Sequence, residues 1–240
     1  MKMWIQRTAR KYGYEIRKAP FPGFISVPVF DLALQYLILV RGDRLTLIQV
    51  GANAGRDDDP IRPYLLRYPW RAVLIEPQPD VFEKLKANYA AINDRIAFEN
   101  VAASTNPAPL HLYRLPPSAT PSDSIVSFDP AIIAKQSGLR PQDMVAISVP
   151  TARLDDIVLK HGMADLDILL LDTEGYDWDV IQSLNLANTR RRMIRFEQGH
   201  MPPKMIGTMT RHLNQHGYSV YYGGYESDSV ALRNDFIPSP

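Results

Sequence analysis

Side chains that could take part in acid–base chemistry stand close together in two late segments of the chain. The segment "LLLDTEGYDWD" places Asp172 and Glu174 two residues apart after an apolar run, so on an extended strand both would share one face. The segment "FEQGHMPP" carries Glu197 and His200 after another apolar run. A carboxylate or an imidazole can accept the proton of a hydroxyl group. We therefore take Asp172, Glu174 and His200 as candidate catalytic residues.

Other interpretations of these residues stay open. Asp172, Glu197 and His200 could hold a divalent metal ion, although the sequence does not require one. Glu174 could instead cap the helix expected after Gly175, because a carboxylate stabilises the free N–H groups of a helix N-terminus. His200 could simply order a loop. The sequence does not choose between catalysis and these alternatives.

The stretch "LTLIQVGANAG", residues 45–55, joins an apolar strand to a turn with two glycines. A dinucleotide fingerprint that starts at Gly51 needs glycine at positions 53 and 56, where Asn53 and Arg56 stand. A phosphate loop needs lysine and a hydroxyl residue after its last glycine, but "GRDDDP" supplies three carboxylates. The turn therefore favours neither a dinucleotide nor a polyphosphate.

A second strand ends in "VLIEPQP", and its Glu76 lies 21 positions after Gly55. A glutamate there can accept hydrogen bonds from both hydroxyls of a ribose, and its charge attracts a sulfonium. The alternative is an ordinary surface glutamate at a strand end. The combination favours S-adenosylmethionine as cofactor. The candidate cofactor-binding residues are Gln49, Gly51, Asn53, Gly55, Glu76, Asn100 and Asp172.

Six short motifs follow one another along the chain: "VGANAG", "LIEPQPDVFEKLKANYA", "ENVAAS", "VPTARLDDIV", "LLLDTEGYDWDVIQSL" and "IRFEQGHM". In this order they resemble the FkbM-type methyltransferases over about residues 45–200. The resemblance implies a class I methyltransferase fold, S-adenosylmethionine as cofactor, and commonly O-methylation of sugars or secondary metabolites. The chain departs from the family at Gln49, where an acidic residue is usual, and in the acidic run after Gly55.

Apolar strands alternate with amphipathic helices, which predicts a parallel sheet covered on both faces. We expect an α/β, Rossmann-like fold with a mostly parallel twisted sheet and an antiparallel C-terminal hairpin. Predicted strands lie near 45–50, 72–76, 96–101, 168–172 and 194–197, and predicted helices near 60–68, 79–91, 177–184 and 203–216.

The predicted domain boundaries are an N-terminal helical cap at 1–42 and a methyltransferase domain at 43–240, with an insertion at about 107–150. In the cap, Met1–Tyr14 could form a helix, and a second helix should run from an N-cap at Asp31 to Arg41, with Gly42 as its stop. Asp59 is expected to N-cap a helix with Pro60 in its first turn. The insertion should contain two short strands around a Ser/Pro-rich stretch, 116–124, which is either a lid or a disordered surface loop.

Composition limits the partners and the location. A formal charge of +1 gives no global attraction for nucleic acid, and the absence of cysteine excludes disulfides and thiolate sites. The longest apolar run, residues 29–40, falls short of the ~20 residues of a membrane span, and we find no signal peptide. We expect a cytoplasmic protein with a small-molecule or saccharide acceptor, no nucleic-acid partner, and at most weak membrane-surface contact through its basic N-terminus. The alternative function is a non-catalytic binding protein of the same fold in a glycan pathway.

Overall fold

The computed structural model describes residues 28–56, 59–116, 119, 125–187, 190–223 and 228–236. Short 3₁₀ turns stand at Ala90–Ile92 and Pro141–Asp143. In chain order the other elements are α1 (Val29–Arg41), β1 (Thr46–Val50), α2 (Arg62–Arg67), β2 (Arg71–Ile75), α3 (Pro79–Asn88), β3 (Ile96–Glu99), β4 (Ala102–Ala103), β5 (Leu110–Arg114), β6 (Val126–Ser127), α4 (Pro130–Ser137), β7 (Val145–Val149), β8 (Thr151–Ala152), α5 (Leu154–Lys160), β9 (Asp165–Leu171), α6 (Asp177–Gln182), β10 (Arg190–Phe196), α7 (Pro203–Gln215), β11 (Tyr218–Tyr221) and β12 (Ser229–Arg233).

Seven strands form the central sheet, in the order β3-β2-β1-β9-β10-β12-β11. The five strands from β3 to β10 run parallel, whereas β12 pairs antiparallel with both β10 and β11. The predicted parallel sheet with an antiparallel C-terminal hairpin is therefore confirmed. The chain proceeds from β1 to one side and returns to its other side at β9, so a ligand crevice is expected outside the carboxyl ends of β1 and β9.

Alternate residues of the strands pack into two separate cores. On β1, Leu47 lies in a core with α1, α2 and α3, whereas Ile48 and Val50 lie in the other core with α5, α6 and α7. Both faces of the sheet are thus covered by helices, as the uniformly apolar strands predicted. Burial on both faces fixes the register of each strand and hence the positions of the residues that follow its carboxyl end.

Two helices, α4 and α5, were not predicted. Helix α4 carries recognisable local signals inside the insertion. The Asp129 side chain accepts a hydrogen bond from the backbone N–H of Ala131, Pro130 begins the helix, and Gly138 ends it in the left-handed region. Helix α5 is only seven residues long, too short for a clear helical period.

The N-terminal part of the chain differs in detail from the prediction. Helix α1 begins at Val29, so Asp31 lies in its first turn and is not the N-cap. Its predicted end is confirmed, because Gly42 has φ 63° and donates its N–H to the carbonyl of Ile38. Helix α1 packs on the sheet through its buried residues, including Leu34. The predicted helix at 1–14 lies outside the described residues.

The insertion folds as a small antiparallel sheet with a helix. Strand β5 pairs with both β6 and β7, and the two predicted strands of the insertion are thereby confirmed. Of the Ser/Pro-rich stretch, only residues 116 and 119 belong to the described part of the chain, so its interpretation as a lid or a loop stays a prediction.

Across the described ranges, no helix has the length and apolar character needed to cross a membrane.

The segment before α2 corrects one sequence prediction. Helix α2 has Ile61 at its N-cap position and Pro63 in its first turn, so neither Asp59 nor Pro60 takes the predicted place. The Asp59 carboxylate nevertheless accepts the N–H of Ile61 at 2.9 Å and the hydroxyl of Tyr89 at 3.3 Å, and burial raises its pKa. Asp59 therefore forms an Asx-type turn that fixes the backbone leading into α2.

We predict that Asp59→Ala lowers the free energy of unfolding by ~1–2 kcal/mol, because a backbone N–H loses its acceptor. Asp59→Asn keeps that acceptor and should lose less. Urea denaturation of both variants measures the difference, and an alanine variant as stable as the wild type would contradict the assigned role.

Candidate functional site

A cavity opens at the carboxyl ends of β1, β2 and β9, where the reversal of strand order predicts a ligand site. Its volume, open solvent included, is about 660 Å³, within the range of small-molecule sites. Its walls come from the central sheet, from the insertion and from the start of α6. The lining residues are Val50, Gly51, Asn53, Glu76, Pro77, Gln78, Val101, Ala102, Ala103, Leu112, Val126, Phe128, Asp172, Thr173, Glu174, Tyr176 and Val180.

Gly51 allows the ends of β1 and β9 to meet. Its φ is 82°, and a Cβ atom at this position would stand 1.9 Å from the carbonyl oxygen of Asp172. Its N–H donates to the carbonyl of Ile75 at 3.0 Å. No side chain fits here without moving the backbone of β9, so a glycine is required for this close approach.

Glu76 lines the cavity and organises the glycine turn around itself. Only 3% of the residue is exposed. Its two carboxylate oxygens accept the backbone N–H groups of Asn53, at 2.9 Å, and of Gln78, at 2.8 Å. Burial raises the pKa of Glu76 to about 7. The Oε1 atom also accepts the side-chain amide of Gln78, at a longer 3.3 Å, whereas Oε2 has a further lone pair with which it can accept a hydroxyl donor of a ligand.

Three of the predicted cofactor residues do not line the cavity. Gly55 has φ 61°, and a Cβ there would lie 2.4 Å from the ring of Tyr89 and 2.8 Å from Leu85, so this glycine permits the turn to pack on α3. Asn100 donates to the backbone carbonyls of Glu76 at 2.8 Å and Pro77 at 3.2 Å. Asn100 thus holds the segment that carries the glutamate.

Gln49 is the third such residue. It is buried with 5% exposure, and its side chain donates a hydrogen bond to Asp59. In this structure Gln49 supports the loop before α2.

Asp172 follows β9 and is exposed toward the cavity. Its pKa is raised to about 6, chiefly because the surrounding protein removes part of the hydration of the ionised form. The nearby charge of Asp228 raises it further, whereas Arg195 lowers it. In the described part of the chain, no group donates a hydrogen bond to this carboxylate. Asp172 is therefore an available base with a pKa closer to neutrality than that of an ordinary aspartate.

Glu174, Glu197 and His200 come together beside the cavity, with one ligand-type atom of each within 4.8 Å of the others. The Nε2 atom of His200 lies 3.1 Å from Glu174 Oε2 and 3.2 Å from Glu197 Oε1. Gln136, from α4 of the insertion, places its Nε2 at 3.0 Å from each of His200 Nε2 and Glu174 Oε2. We call these four residues the acceptor-side cluster. Glu174 stands where the predicted metal set had Asp172.

Ionisation of the two carboxylates in this cluster is unfavourable. Burial, followed by the charges of Glu174, Asp172 and Asp177, raises the pKa of Glu197 to about 9. Burial also raises the pKa of Glu174. The Oε2 atom of Glu197 is buried, and no group in the described ranges forms a hydrogen bond with it. The cluster therefore favours a positive group at its centre.

The backbone after β9 aims Glu174 at His200. Glu174 has φ 51°, and its carbonyl accepts the hydroxyl of Ser127 at 2.8 Å, which ties it to the insertion. Helix α6 begins only at Asp177, and the N-cap residue Tyr176 has no side-chain cap bond. The alternative that Glu174 caps this helix is therefore not what the structure shows.

The chain is similar to a known protein family. The family model described as "Methyltransferase FkbM domain" matches residues 49–220, more than half of the chain. The chain belongs to the FkbM methyltransferase family. A search of curated proteins gave no match at a significant level.

Solved structures resemble this FkbM family member in fold. The FkbM methyltransferase from Methylobacillus flagellatus KT has a TM-score of 0.50 at 12% identity, over 79% of this chain and 44% of that one. The precorrin-6y C5,15-methyltransferase from Geobacter metallireducens GS-15 has a TM-score of 0.44 at 15% identity, over 90% and 93%. The O-methyltransferase from Bacillus cereus in complex with SAH has a TM-score of 0.45 at 11% identity, over 96% and 88%.

Two site residues of this FkbM domain were missed from the sequence. Asp177 is fully buried and accepts the N–H groups of Thr173 and Glu197, and it thereby joins the ends of β9 and β10. Its spacing of four residues from Thr173 is a signal that could have found it. Gln136 has no local signal, because only the folding of the insertion over the sheet brings it to His200.

Proposed function

We propose that this FkbM domain transfers a methyl group from S-adenosylmethionine to a hydroxyl of a sugar, a glycan precursor or a secondary metabolite. One observation carries the proposal. The Gly51 turn, the Glu76 carboxylate and the Asp172 carboxylate all line one cavity at the switch point of a parallel sheet. Membership of the family supports the methyl-transfer chemistry.

The cofactor is proposed to lie across the carboxyl ends of β1 and β2. Gly51 and Asn53 leave the backbone open for close approach, and Glu76 accepts the two ribose hydroxyls. The charge of Asp172 favours the sulfonium end of the same molecule. This placement leaves the acceptor to occupy the side of the cavity next to the insertion.

Three apolar side chains of the insertion, Leu112, Val126 and Phe128, form that side of the cavity. The Phe128 ring stands 4.5 Å from the ring of Tyr176, centroid to centroid, so an aromatic wall faces the acceptor space. Such a surface suits the apolar face of a sugar ring or a planar metabolite.

The chemistry moves one methyl group and one proton. The acceptor oxygen attacks the methyl carbon, the bond from that carbon to sulfur breaks, and S-adenosylhomocysteine is the leaving group. Asp172 takes the hydroxyl proton, and Glu174 and His200 stand beside it to position the acceptor. Exclusion of water by the apolar wall favours transfer to the acceptor.

Cofactor affinity should depend on Glu76. Glu76→Ala should weaken S-adenosylmethionine more than tenfold, since each hydrogen bond to a charged acceptor contributes ~1.5–3 kcal/mol. The same change at Glu83, an exposed residue of α3, should leave the affinity unchanged. Isothermal titration calorimetry measures both variants, with thermal unfolding to confirm that each is folded. No binding by the wild type, or equal binding by both variants, would refute the cofactor assignment.

The affinity should also depend on pH through Glu76. Ribose hydroxyls donate to the ionised carboxylate, so binding releases a proton wherever the free protein holds one. With a pKa of about 7 in the free protein, the affinity contributed by Glu76 should rise as pH increases from 5.5 to 7 and level off above pH ~8. Glu76→Gln should remove this part of the pH dependence, and an unchanged profile would count against the ribose contact.

Methyl transfer itself should depend on Asp172. Asp172→Asn removes the charge near the sulfonium and should weaken S-adenosylmethionine less than Glu76→Ala does. At saturating cofactor it should lower transfer by ~10²–10⁴-fold, the usual contribution of a general base. Radiolabelled methyl transfer to a panel of sugars, nucleotide-sugars and phenols is the assay. Full activity in the variant would remove Asp172 from the mechanism. A wild type that binds the cofactor but transfers nothing to the panel would favour the non-catalytic alternative.

A further inference from the structure

We infer that Glu174, Glu197 and His200 bind a divalent cation on the acceptor side of the cavity. The evidence for the site comes from the acceptor-side cluster and does not depend on the proposed function. Its role in holding the acceptor's oxygen rests on the proposed function.

The spacing of the ligand-type atoms fits a metal ion. His200 Nε2 lies 3.1 Å from Glu174 Oε2 and 3.2 Å from Glu197 Oε1. Neighbouring ligands of an octahedral ion with bonds of ~2.1 Å stand ~3.0 Å apart. All three atoms lie within 4.8 Å of one another, so they can approach one ion together.

Hydrogen bonding alone leaves the cluster poorly satisfied. His200 Nε2 faces three groups at 3.0–3.2 Å, the amide of Gln136 and the two carboxylates. If this nitrogen carries a proton, it can donate well to only one carboxylate and cannot accept from the amide. If it carries none, it can accept from the amide but donates to neither carboxylate. The buried Oε2 atom of Glu197 has no hydrogen-bond partner among the described residues. A cation between the carboxylates and the imidazole would satisfy these atoms together.

The surrounding charges also favour a cation. Asp172 and Asp177 add two further carboxylates close enough to affect Glu197. The nearby guanidinium of Arg195 forms an ion pair with Asp228. These carboxylates repel one another when they are ionised, and a divalent ion among them would relieve that repulsion.

Two carboxylates and one imidazole are ligands typical of first-row divalent ions such as Mn²⁺. Glu174 lines the cavity, so the ion would border the acceptor space. The side chain of Gln136 could turn its amide oxygen toward the ion, since the assignment of amide oxygen and nitrogen follows from the hydrogen bonds chosen. The remaining coordination positions would take water or the acceptor's hydroxyl oxygens, whose protons a bound ion makes more acidic.

The test is a calorimetric titration of Mn²⁺ into chelator-treated, cofactor-free protein, repeated by electron paramagnetic resonance of free Mn²⁺. We expect one saturable site in the wild type. Glu197→Gln and His200→Ala should each weaken it at least about tenfold. Matched changes at exposed positions, Glu83→Gln on α3 and His111→Ala on β5, should leave it unchanged. Asp172→Asn should weaken binding less than either ligand variant does, which separates this ligand set from one that includes Asp172.

Absence of saturable binding in the wild type, or equal affinity in the wild type and both ligand variants, would overturn the site. Thermal unfolding of each variant shows whether it is folded, and Glu174→Gln gives a third ligand variant if either of the others is not. Titration of S-adenosylmethionine into the same metal-free protein separates the two proposals. Cofactor binding without Mn²⁺ binding would refute the metal site alone, and Mn²⁺ binding without cofactor binding would refute the proposed function alone.

Discussion

The close approach of Gly51 to the carbonyl of Asp172 is the contact on which the site depends. It occurs where β1 meets β9, the point at which the strand order reverses, and a side chain at Gly51 would stand 1.9 Å from that carbonyl. The approach brings the glycine turn and the Asp172 carboxylate to one cavity wall. Pairing of β1 with β2 then sets Glu76 beside the same turn. Packing on both faces of the sheet fixes the register of the strands. The register in turn determines which carboxylates border the cavity.

Several carboxylates at and beside the cavity are shielded from water. Glu76 and Glu197 have pKa values raised to about 7 and 9, in each case chiefly because burial disfavours the ionised form. Asp172 stands on the open wall of the cavity, where surrounding protein removes part of the hydration of its charge and raises its pKa to about 6. A fold that keeps such groups loses stability to hold them. The cost is offset when a ligand supplies hydroxyl donors, a sulfonium or a metal ion. Raised pKa values at a cavity are thus one physical signature of a functional site, and here they agree with the family to which the chain belongs.

The sequence predicted the parts of the site that depend on short-range geometry. Gly51 and Glu76 follow apolar strands, and the carboxyl ends of parallel strands lie at one edge of the sheet, so both reach the cavity as expected. Gly55 belongs to the same motif, yet its neighbour is Tyr89, a partner that spacing within the motif cannot reveal. The period-two argument for Asp172 and Glu174 does not apply, because β9 ends at Leu171, although both residues line the cavity. Gln136 reaches His200 only through the folding of the insertion, which is a long-range property.

The decisive measurement for the cofactor assignment is a crystal structure of the protein with S-adenosylhomocysteine bound. This assignment predicts that both ribose hydroxyls lie within hydrogen-bond distance, ~2.6–3.2 Å, of the Glu76 carboxylate. It further predicts that the sulfur faces the space between Asp172 and the insertion, with the backbone of Gly51 against the ligand. A ligand bound elsewhere, or bound in this cavity with its ribose away from Glu76, would show that Glu76 does not bind the cofactor's ribose.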